Sequence, residues 1–119
     1  MEHTKEFLEL AEAARERVEE ISVTEARERI ENGAVLIDVR EDNEFEAGHA
    51  SGAIHLGRGI IERDIVGKFP DKNQELVLYC GGGYRSAMAG ENLQKMGYTN
   101  VLSMAGGWTA WTEADALTE

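Results

Sequence analysis

Apolar residues in the first part of the chain recur every three or four positions, as they do on one face of an amphipathic helix. This spacing predicts a helix over residues 4–20, with Glu and Arg side chains on the opposite face. The apolar positions on this face are Phe7, Leu8, Ala11, Ala14 and Val18, and Ile21 directly after the segment continues the spacing. We expect this stripe to pack against the rest of the molecule, and docking on a partner protein is the alternative.

A second helix and a buried strand follow directly. Ser22, with Glu25 three residues later, has the form of a capping box and predicts a helix that runs to Asn32. Gly33 then suits the left-handed position that commonly follows a helix. The short, mainly apolar run 35–39 predicts a strand that is buried on both faces.

Strands and helices continue to alternate along the remaining chain. Strands are predicted at 53–56, 76–79 and 101–104, and helices at 42–47, 60–68 and 86–96. This alternation favours an α/β fold with a central, mostly parallel sheet flanked by helices on both faces, plus the extra N-terminal helix. The length of 119 residues suffices for one compact domain. We therefore predict a helical extension over residues 1–20, packed on a single domain over residues 21–119.

The charge of the chain disfavours several classes of partner. A net charge of −11 repels nucleic acid and anionic membrane, so neither is expected as a partner. No apolar run approaches the roughly 18 residues of a membrane span, and the charged N-terminus does not resemble a secretory signal; we expect a cytoplasmic location. Residues 1–33 carry ten glutamates, whereas residues 77–111 contain Glu91 as their single acid. An anionic small molecule can therefore approach the second half more easily.

The chain contains one cysteine, Cys80, and therefore no internal disulfide. With three scattered histidines, the composition does not favour a structural zinc site, and no metal or cofactor is expected. A lone cysteine is either a small buried apolar residue or a reactive centre, and its neighbours decide between the two.

The segment CGGGYRS at residues 80–86 favours a reactive cysteine. It follows the strand predicted at 76–79 and precedes a helix, so the thiol stands at the carboxyl end of the sheet, where ligands bind. Three glycines let the backbone curl with its N–H groups inward, and the helix start adds unpaired N–H donors. A fixed positive charge from Arg85 completes the surroundings. Together they favour an anion at the loop centre, either the Cys80 thiolate or a bound substrate.

The individual members of this loop have different expected roles. Cys80 is the candidate nucleophile, and the residues expected to bind the anion are Gly81, Gly82, Gly83, Tyr84, Arg85 and Ser86. Ser86 could donate its hydroxyl to the sulfur or cap the following helix, and the two roles are compatible. Tyr84 is a candidate for shaping access to the sulfur. The structural alternative is a buried cysteine beside a glycine turn.

Four segments, in this order, resemble the rhodanese homology domain over about residues 21–111. DVRE at 38–41 resembles its early Asp-x-Arg motif, and HASGAI at 49–54 resembles its His-x-x-Gly-Ala segment. The loop from Cys80 to Arg85 comes third, and GGWTAW at 106–111 resembles the closing signature. Two departures are Ala50-Ser51, where many members have Ile-Pro, and Ala105, where an acidic residue is common.

The resemblance implies a sulfurtransferase reaction. The Cys80 thiolate attacks the sulfane sulfur of a small anionic donor such as thiosulfate, sulfite leaves, and a persulfide forms. A thiol, cyanide or a protein acceptor then removes that sulfur. Because the chain has no second cysteine, the acceptor must be external. The donor stays open, since Gly81 resembles mercaptopyruvate-type loops and Arg85 resembles the thiosulfate-type charge pattern.

Two alternatives of other kinds remain. The first is a persulfide carrier or regulatory module that is read only by a partner protein, with the N-terminal helix as a docking element. The second is a cysteine-dependent phosphatase or arsenate reductase. The phosphatase signature has five residues between cysteine and arginine, whereas four separate Cys80 from Arg85, which disfavours this class.

Supporting roles are expected for residues outside the loop. Asp38 and Arg40 are expected to hold loops together through hydrogen bonds and an ion pair, and His49 is expected to be a hydrogen-bonded turn residue. Trp108 and Trp111 are expected to pack a terminal helix onto the sheet, with lining of the pocket mouth as the alternative. We expect a monomer or a weak homodimer.

Overall fold

A computed structural model describes residues 3–119 and contains alternating helices and strands. In chain order they are α1 (Lys5–Arg17), β1 (Glu19–Ile21), α2 (Val23–Glu31), β2 (Val35–Asp38), α3 (Asp42–Ala47), β3 (Ile54–His55), α4 (Ile61–Lys68), β4 (Leu76–Tyr79), α5 (Tyr84–Lys95), β5 (Val101–Met104) and α6 (Gly107–Glu113). The strands form one parallel sheet in the order β1-β5-β4-β2-β3. This confirms the predicted α/β class and the extra N-terminal helix.

The sheet buries both of its faces because the side chains of each strand alternate between two cores. On β4, Val77 and Tyr79 belong to the core that also contains residues of α2 and α6. Leu76 and Leu78 point to the opposite core, which is completed by α4 and α5. Helices therefore flank the sheet on both sides, and β4, which leads into the cysteine loop, lies at its centre.

The N-terminal segment differs from its prediction. A helix was predicted over residues 4–20, but α1 ends at Arg17, and Val18 is already extended, with φ −117° and ψ 129°. The following β1 pairs in parallel with β5 at the edge of the sheet. Only Ile21 of this strand is buried, so it lacks the alternation that would have identified it, and Ile21 also fits the helical spacing. Since β1 spans the proposed boundary at residue 20, the division into extension and domain stays a prediction.

The apolar stripe of α1 packs within the molecule, as expected. Ala14 lies against Ala87 and Met88 of α5, with Phe7 partly buried beside them. An ion pair of 2.6 Å between Arg17 and Glu91 adds a polar contact between the same two helices. The helix thus forms an additional layer outside α5.

Smaller differences concern the ends of elements. The run predicted at 35–39 ends as a strand at Asp38, although the Val39 N–H still donates to the Tyr79 carbonyl at 2.9 Å. α5 begins at Tyr84 rather than at residue 86, because Gly83 takes the left-handed conformation that precedes the helix, with φ +106°. Among residues 3–119, no helix is long and apolar enough to cross a membrane. The cytoplasmic location stays a prediction.

Candidate active site

Cys80 lies at the floor of a loop that joins the carboxyl end of β4 to α5. Its side chain is buried, with 1% of the residue exposed. The Gly83 N–H donates to Sγ at 3.0 Å, and the Ser86 Oγ lies 3.6 Å from the same sulfur. A backbone N–H placed like that of Gly83 stabilises a negative charge on sulfur more than it stabilises a neutral thiol. The loop can therefore hold a thiolate at its centre.

A serine pair supports the sulfur from behind. Ser86 and Ser103 are both buried, and their hydroxyl oxygens lie 2.8 Å apart. The Ser86 hydroxyl also lies within 3.3 Å of the Gly83 carbonyl. Because Gly83 occupies the N-cap of α5, the proposed capping role of Ser86 is wrong, and its hydroxyl lies inside the first helical turn beside the sulfur.

The start of α6 fixes the outer side of the loop. The Trp108 N–H donates to the Cys80 carbonyl at 2.7 Å, and the Thr109 N–H donates to the Gly81 carbonyl at 3.3 Å. These bonds engage the loop carbonyls and leave its N–H side for the sulfur. Gly107 has φ +52°, and a β-carbon at this position would overlap the Cys80 carbonyl oxygen. A glycine is therefore required where α6 approaches the loop.

Arg85 lies along the loop and is paired with an acid from α3. Its Nη1 and Nη2 atoms lie 3.2 Å and 3.5 Å from the two carboxylate oxygens of Glu44. Partial burial opposes the charge on Glu44, but hydrogen bonds from Arg85 and from the Glu41 backbone outweigh it and lower the pKa of Glu44. Burial acts to lower the pKa of Arg85. The hydrogen bond and charge of Glu44, and then the charge of Cys80, act in the opposite direction and together outweigh burial, so the pKa is raised and the guanidinium stays charged.

Asp38 and Arg40 form the ion pair that the sequence predicted, and the pair is buried and supports the cysteine loop indirectly. Arg40 donates to both carboxylate oxygens of Asp38 at 2.8–3.1 Å and to the Gly48 carbonyl at 2.7 Å. Its guanidinium carbon lies 4.7 Å from the Trp108 ring centroid. Because the Trp108 backbone holds the Cys80 carbonyl, the ion pair stabilises the turn that fixes the loop.

His49 lies outside the pocket around the cysteine. Its Nδ1 atom is 3.0 Å from the Phe45 carbonyl, and its ring stacks on Phe45 with centroids 3.7 Å apart. These contacts agree with a turn histidine. Trp111 is buried in the core beside α2, in agreement with a packing role.

An open pocket of about 400 Å³ lies above the loop. It is lined by His3, Phe7, Cys80, Gly81, Gly82, Tyr84, Arg85 and Thr109. Tyr84 is among the lining residues, and its ring meets that of Phe7 edge to face with centroids 5.9 Å apart; its role in shaping access to the sulfur stays a prediction. One wall of the pocket comes from the N-terminal helix, for which the sequence predicted packing, or docking on a partner protein, but no part in the site.

Sequence analysis also missed three residues that the fold brings to the loop from distant positions. Glu44 and Thr109 have no local feature that marks them. Ser103 stands in a buried strand, where a hydroxyl needs a partner, and this was an available signal. Within residues 3–119, no group of three or more His, Cys, Asp or Glu side chains is placed to hold a metal ion.

The fold and the loop together define an α/β protein with a buried cysteine, contacted by a backbone N–H, in a glycine-rich loop at the carboxyl edge of a parallel sheet. Residues 22–114 match the family model described as Rhodanese-like domain. The chain therefore belongs to the rhodanese-like sulfurtransferase family, which confirms the resemblance found in the sequence.

Known relatives agree with this assignment. The senescence-associated protein DIN1 of Raphanus sativus is 35% identical over 92% of the chain, and the thiosulfate sulfurtransferase GlpE of Haemophilus influenzae is 31% identical over 81%. The chain spans 65% of DIN1 and 90% of GlpE. A solved structure from Rhodopseudomonas palustris, of a protein of unknown function and possible tyrosine phosphatase, is 26% identical with a TM-score of 0.84. That similarity covers 100% of this chain and 98% of the other.

Proposed function

We propose that the chain transfers sulfane sulfur from a small anionic donor such as thiosulfate to cyanide or a thiol, through a persulfide on Cys80. The observation that carries this proposal is the surroundings of the Sγ atom. A buried sulfur at the floor of an open pocket receives the Gly83 N–H at 3.0 Å, with Arg85 on the pocket wall. The same hydrogen-bonding groups suit the Cys80 thiolate, the anionic sulfur-donor molecule and the persulfide.

The reaction has two displacement steps. In the first, the Cys80 thiolate attacks the outer sulfur of thiosulfate, the S–S bond of thiosulfate breaks, and sulfite leaves with the electron pair. In the second, cyanide attacks the outer sulfur of the persulfide, and the Sγ–S bond breaks. Thiocyanate leaves, and the thiolate is restored. Arg85 and the loop N–H groups hold the anions in both steps.

The loop length favours sulfur over phosphorus. The similar Rhodopseudomonas protein is a possible tyrosine phosphatase, which makes phosphate-ester hydrolysis the main competing activity. Only four residues separate Cys80 from Arg85. A shorter loop encloses a smaller anion, and it offers fewer N–H groups to the three equatorial oxygens of a phosphoryl group. A sulfur atom on Sγ needs fewer donors.

The direct test is a sulfur-loading experiment. Reduced protein is mixed with thiosulfate, its intact mass is recorded, and cyanide is then added. A gain of one sulfur atom that disappears as thiocyanate is released supports the proposal, and Cys80→Ser must show neither change. Absence of both changes in the unaltered chain would exclude thiosulfate as donor, and mercaptopyruvate would be tried next.

Two further outcomes distinguish the alternatives. A stable mass gain without turnover by cyanide or thiols would indicate a persulfide carrier that is read by a partner protein. Hydrolysis of an aryl phosphate that depends on Cys80 would indicate a phosphatase instead.

A further inference from the structure

Arg58 has an unusual position among the arginines of the chain. Within residues 3–119, every arginine except Arg27 and Arg58 forms an ion pair with a carboxylate. The Nε atom of Arg58 is buried, and it hydrogen-bonds to nothing in the part of the chain that the structure describes. Buried N–H groups are nearly always paired, so this Nε is an exception, and the guanidinium as a whole lacks a carboxylate partner within the described residues.

Arg58 lines a second open pocket of about 370 Å³, which we call the Arg58 pocket. It is lined by Phe7, Leu10, Glu41, Arg58, Gly59, Arg85 and Met88. Two of these residues, Phe7 and Arg85, also line the pocket above Cys80. The two pockets therefore adjoin, and a ligand with its sulfur at Cys80 can extend along the wall of α1 toward Arg58.

The lining of the Arg58 pocket determines the chemistry of its ligand. Phe7, Leu10 and Met88 offer apolar contact to a carbon chain, and Leu10 is 61% exposed without a ligand. Arg85 is paired with Glu44 and belongs to the cysteine loop, so Arg58 is the cation of this pocket that has no carboxylate partner within the described residues. Glu41 contributes one negative charge, which disfavours a polyanion and favours a ligand with a single carboxylate.

We propose that the Arg58 pocket binds the carboxylate end of an organic thiol that accepts sulfur from Cys80. The inference rests on the proposed function and adds the class of the acceptor. The acceptor thiolate attacks the outer sulfur of the protonated persulfide, and the bond from that sulfur to Sγ breaks. The electron pair returns to Cys80 as a thiolate, while the acceptor departs as a persulfide that carries the proton.

The test compares acceptors of equal length that differ in their distal group. Chain persulfidated with thiosulfate is mixed with mercaptohexanoate or mercaptohexanol, and loss of the persulfide is followed by mass. The shorter pair, mercaptopropionate and mercaptopropanol, tests how long the acceptor must be to extend from Cys80 to Arg58. We expect kcat/KM to favour the carboxylate about tenfold at the fitting length, as for a charge-assisted hydrogen bond.

Arginine variants test whether the preference for the carboxylate depends on Arg58. Arg58→Gln should reduce the ratio of carboxylate to alcohol to about one, and Arg58→Lys should restore part of it. Arg27→Gln removes the same charge at a different pocket, beside Ile30 and Trp111, and should keep the ratio. Equal rates with both acceptors at every length, or an equal effect of Arg27→Gln, would overturn the proposal.

A binding measurement separates this inference from the sulfurtransferase proposal. Hexanoate and hexanol are titrated into reduced chain and followed by the amide NMR signals of the loop and of α1. Hexanoate that binds the unaltered chain and not Arg58→Gln supports the pocket even where no persulfide forms. Hexanoate that binds neither chain, or both equally, refutes it, whatever the outcome with thiosulfate.

Discussion

Replacing Asp38 with Asn is expected to destabilise the fold by about 3–5 kcal/mol, the usual cost of removing one partner from a buried ion pair. Asp38 is 0% exposed and Arg40 is 3% exposed. The carboxylate accepts the Arg40 backbone N–H at 2.9 Å as well as the guanidinium, so the substitution removes the counter-charge and disturbs several hydrogen bonds. Domains of this size have a total stability of about 5–15 kcal/mol, so the loss is a large share of it.

The same substitution should also affect the cysteine loop. Arg40 lies against the Trp108 ring, and the Trp108 N–H holds the Cys80 carbonyl at 2.7 Å. A guanidinium without its carboxylate will move toward water and withdraw support from this turn. We therefore expect slower persulfide formation in Asp38→Asn even under conditions where the chain is fully folded.

Urea denaturation followed by circular dichroism measures the free energy of unfolding. Asp42→Asn is the matched control, because its side chain is 91% exposed, and it should change stability by no more than about 0.5 kcal/mol. The double variant Asp38→Leu with Arg40→Met replaces the pair with apolar groups and should recover much of the loss. A loss below about 1 kcal/mol for Asp38→Asn would refute the argument that a buried charge is left unpaired.

Three further predictions concern the loop and its neighbours. Gly107→Ala should destabilise the fold by more than about 1 kcal/mol, because a β-carbon would overlap the Cys80 carbonyl oxygen at a left-handed φ. Ser103→Ala should slow alkylation of Cys80 by iodoacetamide severalfold, because the Ser86 hydroxyl loses its 2.8 Å partner. Glu44→Gln should make the free energy of unfolding depend less on pH in the acid range. Folding lowers the pKa of Glu44, so its contribution to stability is present above pH 4.5 and is lost as the pH falls through the folded value.

Each of these predictions has its own control. Gly67→Ala lies in α4 with no heavy atom within 4 Å of the added carbon and should stabilise the chain slightly, by about 0.5–1 kcal/mol. Ser51→Ala removes a hydroxyl far from the sulfur and should leave alkylation unchanged. For Glu44→Gln, the free energy of unfolding is measured from neutral to acid pH. A slope below pH 4.5 equal to that of the unaltered chain would contradict the assignment of the Arg85 pair.

The parts of the site that sequence analysis predicted are local in the chain. Cys80 and the glycines up to Arg85 are contiguous, and the apolar run of β4 places them at the carboxyl edge of the sheet. The parts that it missed depend on contacts between distant segments. Glu44 and Arg85 are 41 residues apart and leave no periodic or compositional trace, while the hydroxyl of Ser103 in an apolar strand signals a buried partner but not that the partner is Ser86, 17 residues away. The unpaired state of Arg58 is equally invisible in the sequence, since it depends on which acids the fold brings near.

The distribution of charge explains how so acidic a chain can hold an anion at Cys80. The loop uses the Gly83 N–H, a fixed dipole that needs no net charge, and the nearby Arg85 is partly neutralised by Glu44. Such a site stabilises a thiolate or a persulfide at short range while giving little long-range attraction, because the remaining surface is negative. Recognition of a larger substrate would then come from contacts in the adjoining Arg58 pocket. The residues available there, Phe7 and Leu10, belong to α1, which precedes the matched family region of residues 22–114. The sulfur chemistry and the acceptor site that we propose thus rest on different parts of the chain, so that either could change while the other is kept.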